Sequence, residues 1–132
     1  MSTRSRYLWI PKAIAAFIML QTLYFKFSGA AESVYIFSTL GIEPWGRYLT
    51  GCLELIASLL ILIPGVSWIG ALLVLGLMSG AILSHFGPLG FVVQNDGGLL
   101  FIYALLVELS CLIILWSERS RWLPLLVKLF KR

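Results

Sequence analysis

The sequence predicts an all-α integral membrane protein built as a four-transmembrane-helix bundle, and three observations carry that expectation. The 132 residues are 60% hydrophobic and 12% charged, with mean hydropathy +0.96. A small soluble domain cannot hide that much apolar surface. Four apolar stretches, 8–25, 48–63, 66–86 and 99–116, each come near the roughly 20 residues that cross a hydrocarbon core. The net charge of +4 resides mainly in basic residues gathered at the two chain ends. Clusters that flank apolar segments mark membrane topology rather than a groove for phosphates, so no nucleic-acid partner is expected.

The first span, Leu8 to Phe25, follows Arg4 and Arg6 and contains Lys12. No small-residue cleavage site follows it, so it reads as a retained helix. The connection 29–46 contains "ESVYIFSTLG", Glu32 to Gly41. A cap at Ser33, an apolar run and a glycine stop predict a short interfacial helix over the outer mouth of the bundle. The second span, Tyr48 to Ile63, ends at Pro64-Gly65, a tight turn into the third, Val66 to Phe86. A longer connection, 87–98, precedes the fourth, Leu99 to Trp116. Residues 1–118 then form the transmembrane domain. Residues 119–132 form a basic amphipathic tail, with Arg121, Lys128 and Arg132 on one helical face, suited to the inner leaflet.

Helix one ends in "LYFKFSG" and helix three in "LSHFG"; helix two carries "LELIASLLIL" and helix four "VELSCLIIL". This pattern predicts two parallel αα-hairpin repeats about an axis along the membrane normal. Four spans put both termini on one side. Arg4, Arg6 and Lys12, with Arg119, Arg121, Lys128, Lys131 and Arg132, assign that side to the cytoplasm of a plasma membrane, here the bacterial inner membrane.

Six polar residues are candidates for a pocket in the outer half: Lys26, Arg47, Glu54, His85, Asp96 and Glu108. Glu54 and Glu108 fall inside spans, where an ionisable group is costly and must face the bundle. Arg47, Thr50, Gly51, Ala57 and Ser58 share the face of Glu54 at helical spacing, and small residues of this kind mark a packing face. Helical side chains lean toward the N-terminus. On antiparallel helices Lys26 and His85 therefore lean toward the depth of Glu54 and Glu108. Glu54 is expected either to pair with Lys26, Arg47 or His85 or to be protonated. His85 is the only histidine, and no CxxC is present, so neither a metal site nor a two-histidine haem is expected. Cys52 and Cys111 read as small apolar fillers in opposite halves of the membrane, too far apart for a disulfide.

These residues resemble the DoxX/DoxD-like family of small four-helix membrane proteins. The carrying segments are Lys26 before "FSG", "STLGIEPW" in the outer loop, "CLELIASLLILIPG", "GLMSGAILSHFG" ending at His85, and "DGGLLFIYALLV". They cover about Leu8 to Trp116. The resemblance implies a four-helix bundle. It links the chain to thiosulfate:quinone oxidoreduction or to membrane scaffolding of redox-stress enzymes, with no agreed catalytic set. Lys26, Glu54 and His85 fall at recurrent polar positions of the family. One departure is plain: members often carry a glutamate after the Gly-Gly, whereas Leu99 and Leu100 follow Gly98 here, with Asp96 as the nearest substitute.

Three functions are compatible with these residues. The first is a quinone-linked, redox-associated membrane subunit, with a quinone as its cofactor and with redox enzyme subunits or a second copy as partners besides the bilayer. The second is a scaffold for redox-stress enzymes. The third is a small-solute transporter.

Overall fold

The computed structural model describes residues 3–132, and side chains from Arg6 onward. Arg4, one of the residues behind the topology expectation, has its side chain outside the described residues. Six helices follow in order: α1 Thr3–Ser28, α2 Ala31–Thr39, α3 Trp45–Leu62, α4 Ser67–His85, α5 Leu99–Ser117 and α6 Arg119–Phe130. No strand occurs among the described residues. Helices α1, α3, α4 and α5 are long and apolar enough to cross a membrane. Phe17, Ile56, Leu72, Leu83 and Leu109 on these helices are exposed. Exposed apolar residues on every span are what a lipid solvent permits, because the helical backbone is satisfied internally.

The four spans form a ring. Helix α1 packs on α3 and α5, and α4 packs on the same two. A pair of αα-hairpins, α1 with α3 and α4 with α5, has this adjacency. Both chain termini lie at one end, the termini end; α2 and the 87–98 loop lie at the other, the loop end. Ala15, Met19, Ala57, Ile61, Val74, Cys111 and Ile114 form the fully buried core.

Two details differ from expectation. Ser33 does not cap α2: the helix begins two residues earlier, with Ala30 at the cap position and no side-chain bond. Ser33 is instead buried in the first turn, facing the bundle. The glycine stop does form. Gly41 has φ +77, its N–H donates to the Ser38 carbonyl, and the Ile42 N–H donates to the Phe37 carbonyl at 2.9 Å. This is the paired closure that a left-handed residue allows after a helix. Cys111 is a buried filler as expected, but Cys52 is exposed on α3. It lies about half a turn of the helical wheel from Glu54, so it meets lipid while Glu54 meets the bundle.

Close approach is set by small residues. The Pro64-Gly65 turn brings α4 back along α3, and the buried Ser67 hydroxyl donates to the Ile61 carbonyl at 2.6 Å. One turn later a Cβ on Gly70 would stand 2.6 Å from the Ala57 carbonyl oxygen and 2.8 Å from the Ile61 nitrogen. At the same end, Lys12 on α1 reaches Glu118 at the α5–α6 junction, with Nζ 3.3 Å from Oε1 and both side chains buried. The hairpins are thus clamped together at the termini end. Helix α6 buries no residue. It is fixed at its start by the Trp122 indole N–H, which donates to the Leu115 carbonyl at 2.8 Å.

Gly70→Ala should lower stability by about 1–3 kcal/mol, since the clash is with backbone that cannot rotate away. Gly76→Ala, whose Cβ would meet nothing within 4 Å, should leave stability unchanged or slightly higher through helix propensity. Thermal unfolding in detergent reads the difference; equal melting of the two variants would contradict the packing argument.

Candidate functional site

A cavity of about 570 Å³ occupies the loop-end half of the bundle. Its walls come from all four spans, and α2 roofs it with Glu32, Ser33, Ile36, Phe37 and Leu40. The size matches small-molecule sites, which are mostly apolar with few polar groups. Lys26, Glu54, His85 and Asp96 line it; Arg47 and Glu108 do not.

The centre of charge is the Lys26–Glu54 pair. Lys26 is in the last turn of α1 and Glu54 three turns into α3, and Nζ lies 3.0 Å from Oε2. The glutamate side chain is 3% exposed and the lysine side chain 15%. The contact is an ion pair in which Oε2 takes no hydrogen bond, and Lys26, which lines the cavity, carries three N–H donors.

Arg47 is occupied elsewhere. Its Nε donates to both Glu43 oxygens, at 2.9 and 3.1 Å, and Nη1 donates to the Lys26 carbonyl. Its guanidinium lies over the Tyr48 ring at 4.5 Å. Arg47 therefore caps the end of α1 and fixes the backbone of Lys26, which is structural work at one remove from the cavity. Glu108 faces α4, where Ser79 donates to its Oε1 at 2.7 Å.

His85 closes α4 with its ring edge-on to Phe101 at 5.4 Å. Its Nδ1 is 2.7 Å from the Gly90 carbonyl. A carbonyl only accepts, so Nδ1 carries the proton, and in the neutral ring Nε2 is an acceptor. Gly90 has φ +72, which turns that carbonyl back toward α4.

Asp96 is a cap. Oδ1 accepts from Val93 N–H at 3.0 Å and Gly98 N–H at 2.8 Å, and Oδ2 accepts from Leu100 N–H at 3.1 Å. Oδ2 thus serves the first turn of α5, and Oδ1 ties its cap residue Gly98 to the preceding loop. Burial pushes this carboxyl up, but the three backbone donors, helped by His85, outweigh it and hold Asp96 below its ordinary value. Glu32 across the mouth moves the other way: burial, then the charge of Asp96, holds it above its ordinary value. Glu32 is a lining residue that sequence reasoning did not single out; its place in the first turn of a roof helix was the available signal.

The fold and cavity define a polytopic helical membrane protein with a paired charge at the wall of a loop-end chamber. The chain belongs to the DoxX-like family, whose family model matches residues 10–110. No curated protein and no solved structure matches it.

The Asp96 cap gives a pH dependence. A depressed carboxyl stabilises the fold above its unfolded value, near the ordinary 3.8, and the contribution fades as pH falls through the lower folded value. Asp96→Ala should therefore cost roughly 0.5–2 kcal/mol at pH 7. The gap between variant and parent should narrow below the ordinary carboxylate range. Melting curves at neutral and strongly acidic pH measure it; a gap that widens in acid would show that the cap is not ionised.

Proposed function

We propose that this chain is a quinone-linked membrane subunit and that the loop-end cavity holds the quinone head group. The observation that carries this reading is a largely apolar chamber with a buried Lys26–Glu54 pair on one wall and His85 on another. A quinone needs an apolar slot and a hydrogen-bond partner at each carbonyl. Lys26 supplies N–H donors. His85 supplies a nitrogen that donates when the ring is charged and accepts from a quinol hydroxyl when it is neutral. Reduction takes two electrons and two protons per quinone. Glu54 and His85 are the proton-exchanging groups, and the electrons come from a partner redox enzyme.

Charge favours a neutral ligand. Lys26 faces three carboxylates around the cavity, Glu54, Glu32 and Asp96. An anion such as thiosulfate would meet excess negative charge in a low dielectric, so the cavity suits the quinone rather than an anionic donor. The test is a double-mutant cycle of Glu54→Gln and Lys26→Met on the chain in lipid nanodiscs, read as melting and as binding of a short-chain quinone. Each single change should cost about 3–5 kcal/mol of stability if the pair is fully buried, and less for its partly wet lysine. Loss of Lys26 should weaken the quinone by roughly ten-fold or more. Coupling in stability without any effect on binding would reduce the pair to a structural tie, and no binding by the parent chain would end the quinone reading.

We also propose that the termini end faces the cytoplasm of a bacterial plasma membrane, on the bias of Lys and Arg toward that end. Helix α6 then lies along the inner leaflet, with Leu123, Leu126 and Phe130 toward the acyl chains and Arg121, Lys128 and Arg132 toward anionic headgroups. A reporter that works only in the cytoplasm should be active when fused after Arg132; a periplasmic signal there would reverse the orientation.

A further inference from the structure

We propose that the gap between α3 and α4 beside Gly80 is a lateral portal, through which the apolar tail of the bound quinone lies out in the bilayer. The inference rests on the quinone reading and adds to it how a long-tailed molecule fits.

The cavity of about 570 Å³ is of a size that holds a drug-sized molecule. It cannot also hold an isoprenoid tail of many units. The tail must leave, and leaving past the α2 roof would put hydrocarbon into water, a cost that grows with every methylene. A sideways exit into lipid carries no such cost.

The ring has four seams, and two are bridged by side-chain contacts at this depth. Between α1 and α3 stand the Lys26–Glu54 pair and the Phe27 ring, which lies 2.9 Å from where a Cβ on Gly51 would be. Between α4 and α5 stands the Ser79–Glu108 hydrogen bond at 2.7 Å. Between α1 and α5 the cavity is flanked by the bulky rings of Phe25 and Tyr103.

The α3–α4 seam is different. At Gly70 the two helices touch through backbone. Ten residues on, about 15 Å along the helix, Gly80 lines the cavity, is exposed, and has nothing within 4 Å of an added Cβ. A residue that is both cavity wall and exposed surface, with no side chain, is an aperture. Thr50 borders it on α3, and Leu77 and Ser84 border it on α4. Gly76, one turn nearer the clamp, also has an open Cβ direction but does not line the cavity.

The experiment uses the full chain in nanodiscs and two probes, a quinone with a tail of a few carbons and one with a long isoprenoid tail. Binding is read by quenching of tryptophan fluorescence. Gly80→Phe should weaken the long-tailed probe at least roughly ten-fold more than it weakens the short one. Gly76→Phe controls for lipid partition and should change neither. If Gly80→Phe melts too low to assay, Gly80→Leu makes the same test with a smaller plug. Equal loss of both probes, or no loss of either, overturns the portal while leaving the quinone site standing. Failure of the parent chain to bind either probe overturns both.

Discussion

Hydrocarbon does not tolerate an unpaired charge, and the arrangement of this bundle follows from where its charges find partners. An isolated ion in a low dielectric costs far more than any packing contact returns, so buried charges are paired or neutral. Two lysine–glutamate pairs, one buried on both sides and one with a half-buried lysine, meet that demand at opposite ends. Lys12–Glu118 joins α1 to α5, across the two hairpins, at the termini end. Lys26–Glu54 joins α1 to α3, within one hairpin, at the loop end. With Gly70 against Ala57 added, the hairpins are bound to each other at one end only. At the other end each hairpin is held internally, and the space between them is the cavity.

The spans and their order were legible because each is a near-continuous apolar run of spanning length, and the Pro64-Gly65 and Gly41 turns were legible because glycine supplies backbone angles that other residues avoid. The depth argument also transferred: opposed lean on antiparallel helices brings Lys26 to Glu54. What sequence left open was partner choice. Arg47 and Lys26 lie at comparable heights, and Glu43, four residues before Arg47, takes the guanidinium through an i,i+4 pairing. Glu108 and His85 share a hairpin, yet the ring is held by Gly90, a loop carbonyl whose position depends on tertiary folding. Ser33 misled because a serine near a helix start is a capping signal on average, while here its burial against the bundle decides its place. Lys12–Glu118 was hidden because its members are 106 residues apart in the chain.

The two hairpins give the cavity unequal walls. Lys26 and His85 each lie in the last turn of a span, and Glu54 and Glu108 each lie in the third turn of the span after it. In the first hairpin the lysine is long enough to reach across to its glutamate, giving a paired charge on the wall. In the second, the imidazole is short and is drawn to the Gly90 carbonyl, so Glu108 takes Ser79 instead and turns away from the chamber. One hairpin thus presents a paired charge, and the other presents a ring whose Nδ1 donates to Gly90 and whose second nitrogen is an acceptor in the neutral ring. A symmetric pair of ion pairs would offer the same donors at both walls and would bind only an acceptor. The unequal pair can meet both an acceptor and a donor group. The divergence of the second hairpin from the first is therefore what gives the cavity two chemically different polar walls.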